Sequence, residues 1–256
     1  MLKVAVLYIC TGKYDIFWKN FYKSSEKFFI TDAEKHYFVF TDSKKIKSNN
    51  NVHIIYQKNL GWPYNTLLRF SFFSNIIDEL SQYDYIFFFN SNMVFQVPIY
   101  KDILPSDKEN GLLGVQHPAF YNKNNTEFTY ERNEFSTAYI KHGEGKYYFM
   151  GGINGGIAKQ YIDLIRTLNT NIQKDLSNNI IAIWHDESHL NAYYLDKCIK
   201  VLSPSYGYAE GWDLPFEKKI VVLDKSRFGG HEFLRSNTKY KYFHPMNKIV
   251  SFFRRR

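Results

Sequence analysis

The chain has 256 residues, 45% of them hydrophobic and 23% charged, which suits one folded domain with a full core and a short appendage. Its net charge of +8 is unevenly placed, because residues 236–256 hold six cations (Lys239, Lys241, Lys248, Arg254, Arg255 and Arg256) and no acid. Taking those six away leaves +2 on the body, which excludes a basic nucleic-acid footprint spread over the fold.

In chain order, Lys3–Ile9 reads as a buried strand. Residues 14–29 carry Phe17, Phe21 and Phe28 at helical spacing. Residues 36–40 and Val52–Tyr56 read as strands. Residues 65–80 read as an amphipathic helix capped by Asn65 or Thr66, and Tyr85–Phe89 as the strongest strand, an unbroken apolar run. Residues 118–146 are polar and aromatic without a period, as functional loops often are. Helices are expected at 158–168 and 187–195, and strands at Lys200–Leu202 and 219–223. This alternation predicts an α/β fold with a mostly parallel central sheet flanked by helices, spanning 1–235, followed by a separate tail at 236–256.

Two cysteines, Cys10 and Cys198, have no paired spacing, which points to a reducing compartment. The apolar run at 1–10 is too short for a signal peptide, and no stretch approaches the ~20 apolar residues of a spanning helix. The expected location is cytoplasmic. In the tail, Tyr240, Tyr242, Phe243, Phe252 and Phe253 interleave with the cations. That pattern suits peripheral contact with an anionic membrane from its inner face, or else a solubilising tail.

Ligands of open α/β sheets bind beyond the carboxyl ends of strands. The strand Tyr85–Phe89 runs into Asn90-Ser91-Asn92, whose first and third side chains can point at one bound group. Many nucleotide-sugar transferases carry two aspartates here, with a divalent cation against the diphosphate. Two amides are neutral, weaker ligands for hard cations, and they can donate hydrogen bonds to phosphate or sugar oxygens. The plainer reading of the three residues is a turn.

His185 and His189 are four apart, like half of a zinc site, but Asp186 stands where the metalloprotease pattern needs Glu. Asp186 and Glu187 open a predicted helix, where acids also serve as caps. Gly151-Gly152 and Gly155-Gly156 follow no predicted strand, so they read as turn residues rather than a dinucleotide fingerprint. Lys225, Arg227 and Arg235 surround Phe228-Gly229-Gly230-His231-Glu232, a basic segment suited to closing over an anion or simply to lying in solvent.

His117-Pro118-Ala119-Phe120-Tyr121, Phe128-Thr129-Tyr130-Glu131-Arg132, the block from Tyr147 to Gly156, Trp184-His185-Asp186-Glu187-Ser188-His189 and Leu202-Ser203-Pro204 occur in that order. Together they resemble glycosyltransferase family 6, which includes the histo-blood-group A and B transferases and α-1,3-galactosyltransferase. The opening 8–14 and Asn59-Leu60-Gly61-Trp62-Pro63 are similar to its bacterial branch, which carries N-x-N for D-x-D.

The resemblance implies a GT-A-type fold and a retaining hexosyltransferase with a UDP-sugar donor and no metal or other cofactor. Ile9, Cys10, Thr11 and Tyr14 would meet the uridine, while Arg69, Asn90, Ser91 and Asn92 would lie near the donor phosphates or sugar. Met150, Gly151 and Gly152 would border the donor sugar, and Lys225 or Arg227 would offset the leaving UDP. His117 and Thr129 would bind an acceptor galactose, Trp184 would stack on it, and His185 and Asp186 would sit near the sugars. Glu187 is the implied nucleophile or the carboxylate that stabilises a positive anomeric carbon. Gly152 leaves room for an N-acetyl group. The expected reaction is therefore transfer from UDP-GalNAc, with UDP-galactose as the alternative, in α-1,3 linkage to a 2-fucosylated galactose or a lipopolysaccharide-type glycan. A non-catalytic carbohydrate-binding protein is the reading from another class.

Overall fold

The computed structural model describes residues 1–236. Ten strands are present among them: β1 (Lys3–Ile9), β2 (Glu34–Thr41), β3 (Val52–Tyr56), β4 (Tyr85–Phe89), β5 (Met93–Phe95), β6 (Leu112–Gln116), β7 (Phe149–Ile157), β8 (Lys200–Leu202), β9 (Tyr208–Ala209) and β10 (Ile220–Val222). The α-helices are α1 (Trp18–Phe28), α2 (Tyr64–Leu67), α3 (Arg69–Ser74), α4 (Ile77–Leu80), α5 (Ala158–Ser177), α6 (Asp186–Tyr194) and α7 (Gly230–Arg235).

Side chains alternate across the unbroken apolar strands, so both faces of the sheet are buried. Val4, Val6, Tyr8, Phe87 and Phe89 face one core with Phe21 of α1, while Ala5, Leu7, Ile86 and Phe88 face another with α3 and α5. The main sheet has the order β3-β2-β1-β4-β7-β6-β8. Within it, β7 alone runs against its neighbours, β4 and β6. A mostly parallel sheet flanked by helices matches the GT-A-type expectation. A small second sheet, β5-β10-β9, ties the chain after β4 to the late part of the sequence.

Several expectations need correction. The helix expected at 65–80 is three short helices, interrupted where Leu68 (φ −92°, ψ 14°) and Ile76 (φ −128°, ψ 23°) leave helical geometry. Arg69 opens the middle piece and is buried with Phe70, Phe72 and Phe73, so α3 has almost no solvent face. Asn65 caps nothing: its Oδ1 accepts from the Leu60 N–H at 2.8 Å and its Nδ2 donates to Asn59 at 2.6 Å, fastening the preceding loop. The glycines at 151–156 are not turn residues but the interior of β7. A Cβ at Gly155 would lie 2.7 Å from the Ile86 carbonyl, and one at Gly156 would lie 2.4 Å from that of Gly111, so neighbouring backbone occupies the place of a side chain. Residues 14–29 begin as a 3₁₀ turn, Gly12–Phe17, before α1, and α5 continues to Ser177 rather than ending at 168. The tail expected at 236–256 lies outside the described residues after Ser236.

Candidate active site

A cleft of about 330 Å³ opens beyond the carboxyl ends of β1 and β4. Ile9, Thr11 and Tyr14 form one wall, and Phe88, Asn90 and Ser91 form the floor. Arg69, Trp184, His185 and Lys225 complete the predicted residues that line it. A larger hollow of about 880 Å³, beside Met1, Asp84 and Arg166, lies at the opposite ends of these strands and contains none of the sequence-predicted site residues.

Six donor-side residues do not line it; Gly151 and Gly152 lie just behind its floor, and Cys10, Asn92, Arg227 and Met150 sit elsewhere. Cys10 continues the strand alternation into the core, and burial pushes its thiol up to about 12. Asn92 is buried and turned away: its Nδ2 donates to the Leu223 carbonyl at 2.7 Å, and its own carbonyl accepts the Leu223 N–H at 2.8 Å. The two asparagines do not converge because the strand ends at Phe89 and Ser91-Asn92 form a turn into β5, which breaks the period of two. Arg227 pairs with Glu210, outside the cleft. Met150 is packed into the notch left by Gly207, beneath Gly152.

Gly152 lies against the cleft floor. Its carbonyl accepts the Asn90 N–H at 2.8 Å, and an added Cβ would come within 2.8 Å of Asn90 Nδ2 and 3.0 Å of Met93 Cε. The Gly151 peptide stands between two charged sets. Its carbonyl accepts from Arg69 Nη1 at 2.7 Å, and its N–H donates to Glu187 Oε2 at 2.7 Å. Tyr148 holds the other oxygen, donating to Glu187 Oε1 at 3.0 Å, so the carboxylate is oriented from two sides. Arg69 also pairs with Asp186 at 2.9 Å, and both are buried. Burial pushes the Asp186 carboxyl up to about 7 against the pull of Arg69, and its Oδ1 has no partner in the protein.

His185 precedes this pair with φ 55° and ψ −125°, a left-handed conformation that costs a non-glycine residue about 1–3 kcal/mol and recurs at functional sites. Trp184 Nε1 donates to Thr129 Oγ1 at 2.9 Å, which joins two predicted acceptor residues. His117 Nδ1 accepts the Ala119 N–H at 3.0 Å, so the proton of the neutral ring belongs on Nε2. Burial lowers the pKa of His117 and keeps it neutral, against the pull of Glu187.

Sequence reasoning gave no place in the site to the loop at 59–66, which also lines the cleft. Asn59, Gly61, Trp62, Asn65 and Thr66 line it, with Leu234 and Arg235 from α7. The guanidinium of Arg235 lies 4.8 Å from the Trp62 ring centroid, and Trp62 packs edge-on against His185 at 5.2 Å. The motif Asn59-Leu60-Gly61-Trp62-Pro63 was the available signal, and it marked only a likeness to the bacterial branch. The late segment docks through Phe228 on Phe17 and through Lys13, whose ammonium donates to the Phe233 carbonyl at 3.1 Å.

Positive charge dominates the cleft. Lys225 is held down to about 8, first by burial and then by Arg235 and Arg69. His231 is pushed to about 4 by burial and by Lys225 and Arg235. Among the described residues, no group of three or more His, Cys, Asp or Glu side chains is placed to hold a metal ion. The donors at the end of β4 do not fit a hard cation, since Asn92 is turned toward Leu223, no carboxylate among the described residues lines the cleft and an ammonium projects into it.

Comparison with known proteins agrees with this geometry. The glycosyltransferase family 6 model matches residues 1–230. The O-antigen biosynthesis glycosyltransferase WbnI of Escherichia coli is 39% identical over 227 residues, covering 88% of this chain and 95% of that protein. Globoside alpha-1,3-N-acetylgalactosaminyltransferase 1 of Gallus gallus is 31% identical, covering 80% of this chain and 61% of that protein. Histo-blood group ABO system transferase 1 of Rattus norvegicus is 32% identical, covering 84% and 64%. No helix among the described residues is long and apolar enough to cross a membrane. A strand-end cleft lined with cations and an oriented carboxylate one peptide away thus belong to a hexosyltransferase, and the chain is a member of glycosyltransferase family 6.

Proposed function

We propose that the protein transfers N-acetylgalactosamine from UDP-GalNAc, with retention and without a metal ion, to the 3-OH of a galactose fucosylated at O2. One observation carries this reading: a cationic cleft and a fixed carboxylate share the Gly151 peptide. Uridine fits against Ile9, Thr11 and Tyr14, and the diphosphate lies between Asn90, Arg69, Lys225 and Arg235. Cations there stabilise the charge that develops on UDP as the glycosidic bond breaks. Glu187 faces the anomeric carbon and opposes its positive charge.

His117, Thr129 and Trp184 offer two polar groups and an aromatic face to the acceptor. Support for GalNAc comes from Gly152, which has no side chain beside Asn90, and from the relatives named for that sugar. The relative named for O-antigen biosynthesis favours a lipopolysaccharide-type acceptor. The composition of the basic aromatic tail, outside the described residues, suits an anionic membrane surface on the cytoplasmic side. The test is a transfer assay with UDP-GalNAc and UDP-galactose, each with and without EDTA, with product anomers assigned by NMR. Activity lost to EDTA and restored by Mn²⁺ would refute the metal-free part. An inverted product would refute the role of Glu187.

A further inference from the structure

Lys225 follows directly on a short segment that is fastened from two sides. On one side, Leu223 exchanges two hydrogen bonds with Asn92, at 2.8 Å and 2.7 Å. On the other, the next residue, Asp224, donates its N–H to Glu210 Oε2 at 2.7 Å. Glu210 Oε1 takes Arg227 Nη1. Asp224 then accepts the Ser226 N–H at 2.8 Å and closes the turn. The backbone of Glu210 is itself fixed, because its N–H donates to the Val222 carbonyl at 3.0 Å. Between these points Lys225 reaches inward over the Tyr14 ring, 5.5 Å from its centroid.

That geometry has an electrostatic difficulty. Arg69, Arg235 and Lys225 line one cleft, and like charges push a flexible ammonium outward, toward water. Two acids of this turn could draw Lys225 away, but Asp224 is taken up by the Ser226 N–H and hydroxyl, and Arg227 occupies Glu210. Arg227 therefore holds the outer side of the turn and also neutralises a carboxylate that would compete with a phosphate for Lys225.

Building on the functional reading above, we infer that Glu210 and Arg227 are a positioning pair. Together with Asn92 they hold the turn at 223–227 so that Lys225 meets the diphosphate, and neither touches the donor. Arg227 thereby serves donor binding from outside the cleft.

The test measures binding of UDP and of uridine to the full chain and to Glu210→Ala, Arg227→Ala and Lys225→Met variants. Each of the first two is also combined with Lys225→Met. Calorimetry serves for UDP, ligand-observed NMR for the weaker nucleoside, and thermal unfolding reports the fold. Either alanine should weaken UDP binding about five- to tenfold, the scale of a partly exposed ion pair and its attached hydrogen bond. Uridine binding should stay within about twofold, and in the Lys225→Met background the alanine effect should shrink to within about twofold. Equal losses for uridine and UDP, undiminished losses without Lys225, no loss at all, or collapse of the fold in both variants would overturn the inference. A native chain that binds neither ligand would instead overturn the donor reading on which it rests.

Discussion

Raising the pH from 7 to 9 should weaken UDP binding, and Lys225→Met should remove most of that dependence. In the free protein, burial and the neighbouring Arg235 and Arg69 hold Lys225 down to about 8. The protonated fraction then falls from about nine-tenths at pH 7 to about one-tenth at pH 9. A bound diphosphate favours the ammonium and raises its pKa, so binding above pH 8 must take up a proton. The sign follows: affinity is fully present below the free-protein pKa and falls about tenfold by pH 9. One other group beside the cleft titrates at the lower edge of this window: Asp186, pushed up to about 7 and paired with Arg69, so the Lys225→Met profile is the baseline from which the lysine's share is read. Cys10 is pushed up to about 12, Tyr14 is raised, and His117, His185 and His231 are lowered. A phosphate's own last ionisation, near ~6, lies below it. At pH 7, Lys225→Met removes a charge-assisted hydrogen bond worth about 1.5–3 kcal/mol, or roughly 10- to 150-fold in Kd. Calorimetry in two buffers of different ionisation enthalpy would report both affinity and proton uptake. A variant that keeps the native pH profile, or affinity that rises toward pH 9, would refute the assignment of Lys225 to the diphosphate.

Other perturbations test the sugar side. Gly152→Ser places a Cβ about as close to Asn90 Nδ2 as the 2.8 Å found for an ideal Cβ, which pushes Asn90 into the space offered to the donor. Competing donors read by mass spectrometry should then show UDP-GalNAc use falling roughly 10- to 200-fold relative to UDP-galactose. Glu187→Gln keeps an oxygen for Tyr148 or Gly151 but removes the charge, so kcat should fall at least about 100-fold. UDP affinity should not change with it, which separates a catalytic loss from misfolding.

Strands with two apolar faces were legible from sequence, and β1, β3, β4 and β8 have the expected limits. β7 was not, because strand propensity and glycine content point in opposite directions. The tertiary structure decides it: Gly155 and Gly156 sit where neighbouring backbone comes too close for any side chain. The helix expected at 65–80 failed for a related reason. Its pattern of Phe70, Phe72 and Phe73 does not show that both sides are covered, nor that the chain breaks at Leu68. Of the site, the segments carrying Thr11, Asn90, Trp184 and Lys225 were visible as motifs, and the cleft brings them together. Trp62 and Arg235 meet only through folding, 173 positions apart in sequence, and no local period reveals such a contact.

The two asparagines after β4 show where pattern reasoning stops. Spacing of two implies shared direction only while the strand lasts, and the strand ends one residue before Asn90. Asn90 faces the cleft, whereas Asn92 uses its amide as a donor to the Leu223 carbonyl at 2.7 Å. A carboxylate cannot make that bond. Asn92→Asp sets an acid against a carbonyl in a buried position, which should cost about 1–3 kcal/mol at neutral pH and loosen the turn that carries Lys225. The carbonyl favours the protonated acid, so the folded-state pKa of the new Asp lies above its unfolded value. The penalty should therefore be small below about pH 4, where the protonated acid can donate, and should grow as pH rises through the folded pKa. Urea unfolding of the native and Asn92→Asp proteins across this range, with UDP affinity measured at pH 7, reads both effects. Equal stability at neutral pH with undiminished UDP binding would mean that the Asn92–Leu223 bond does not hold the turn.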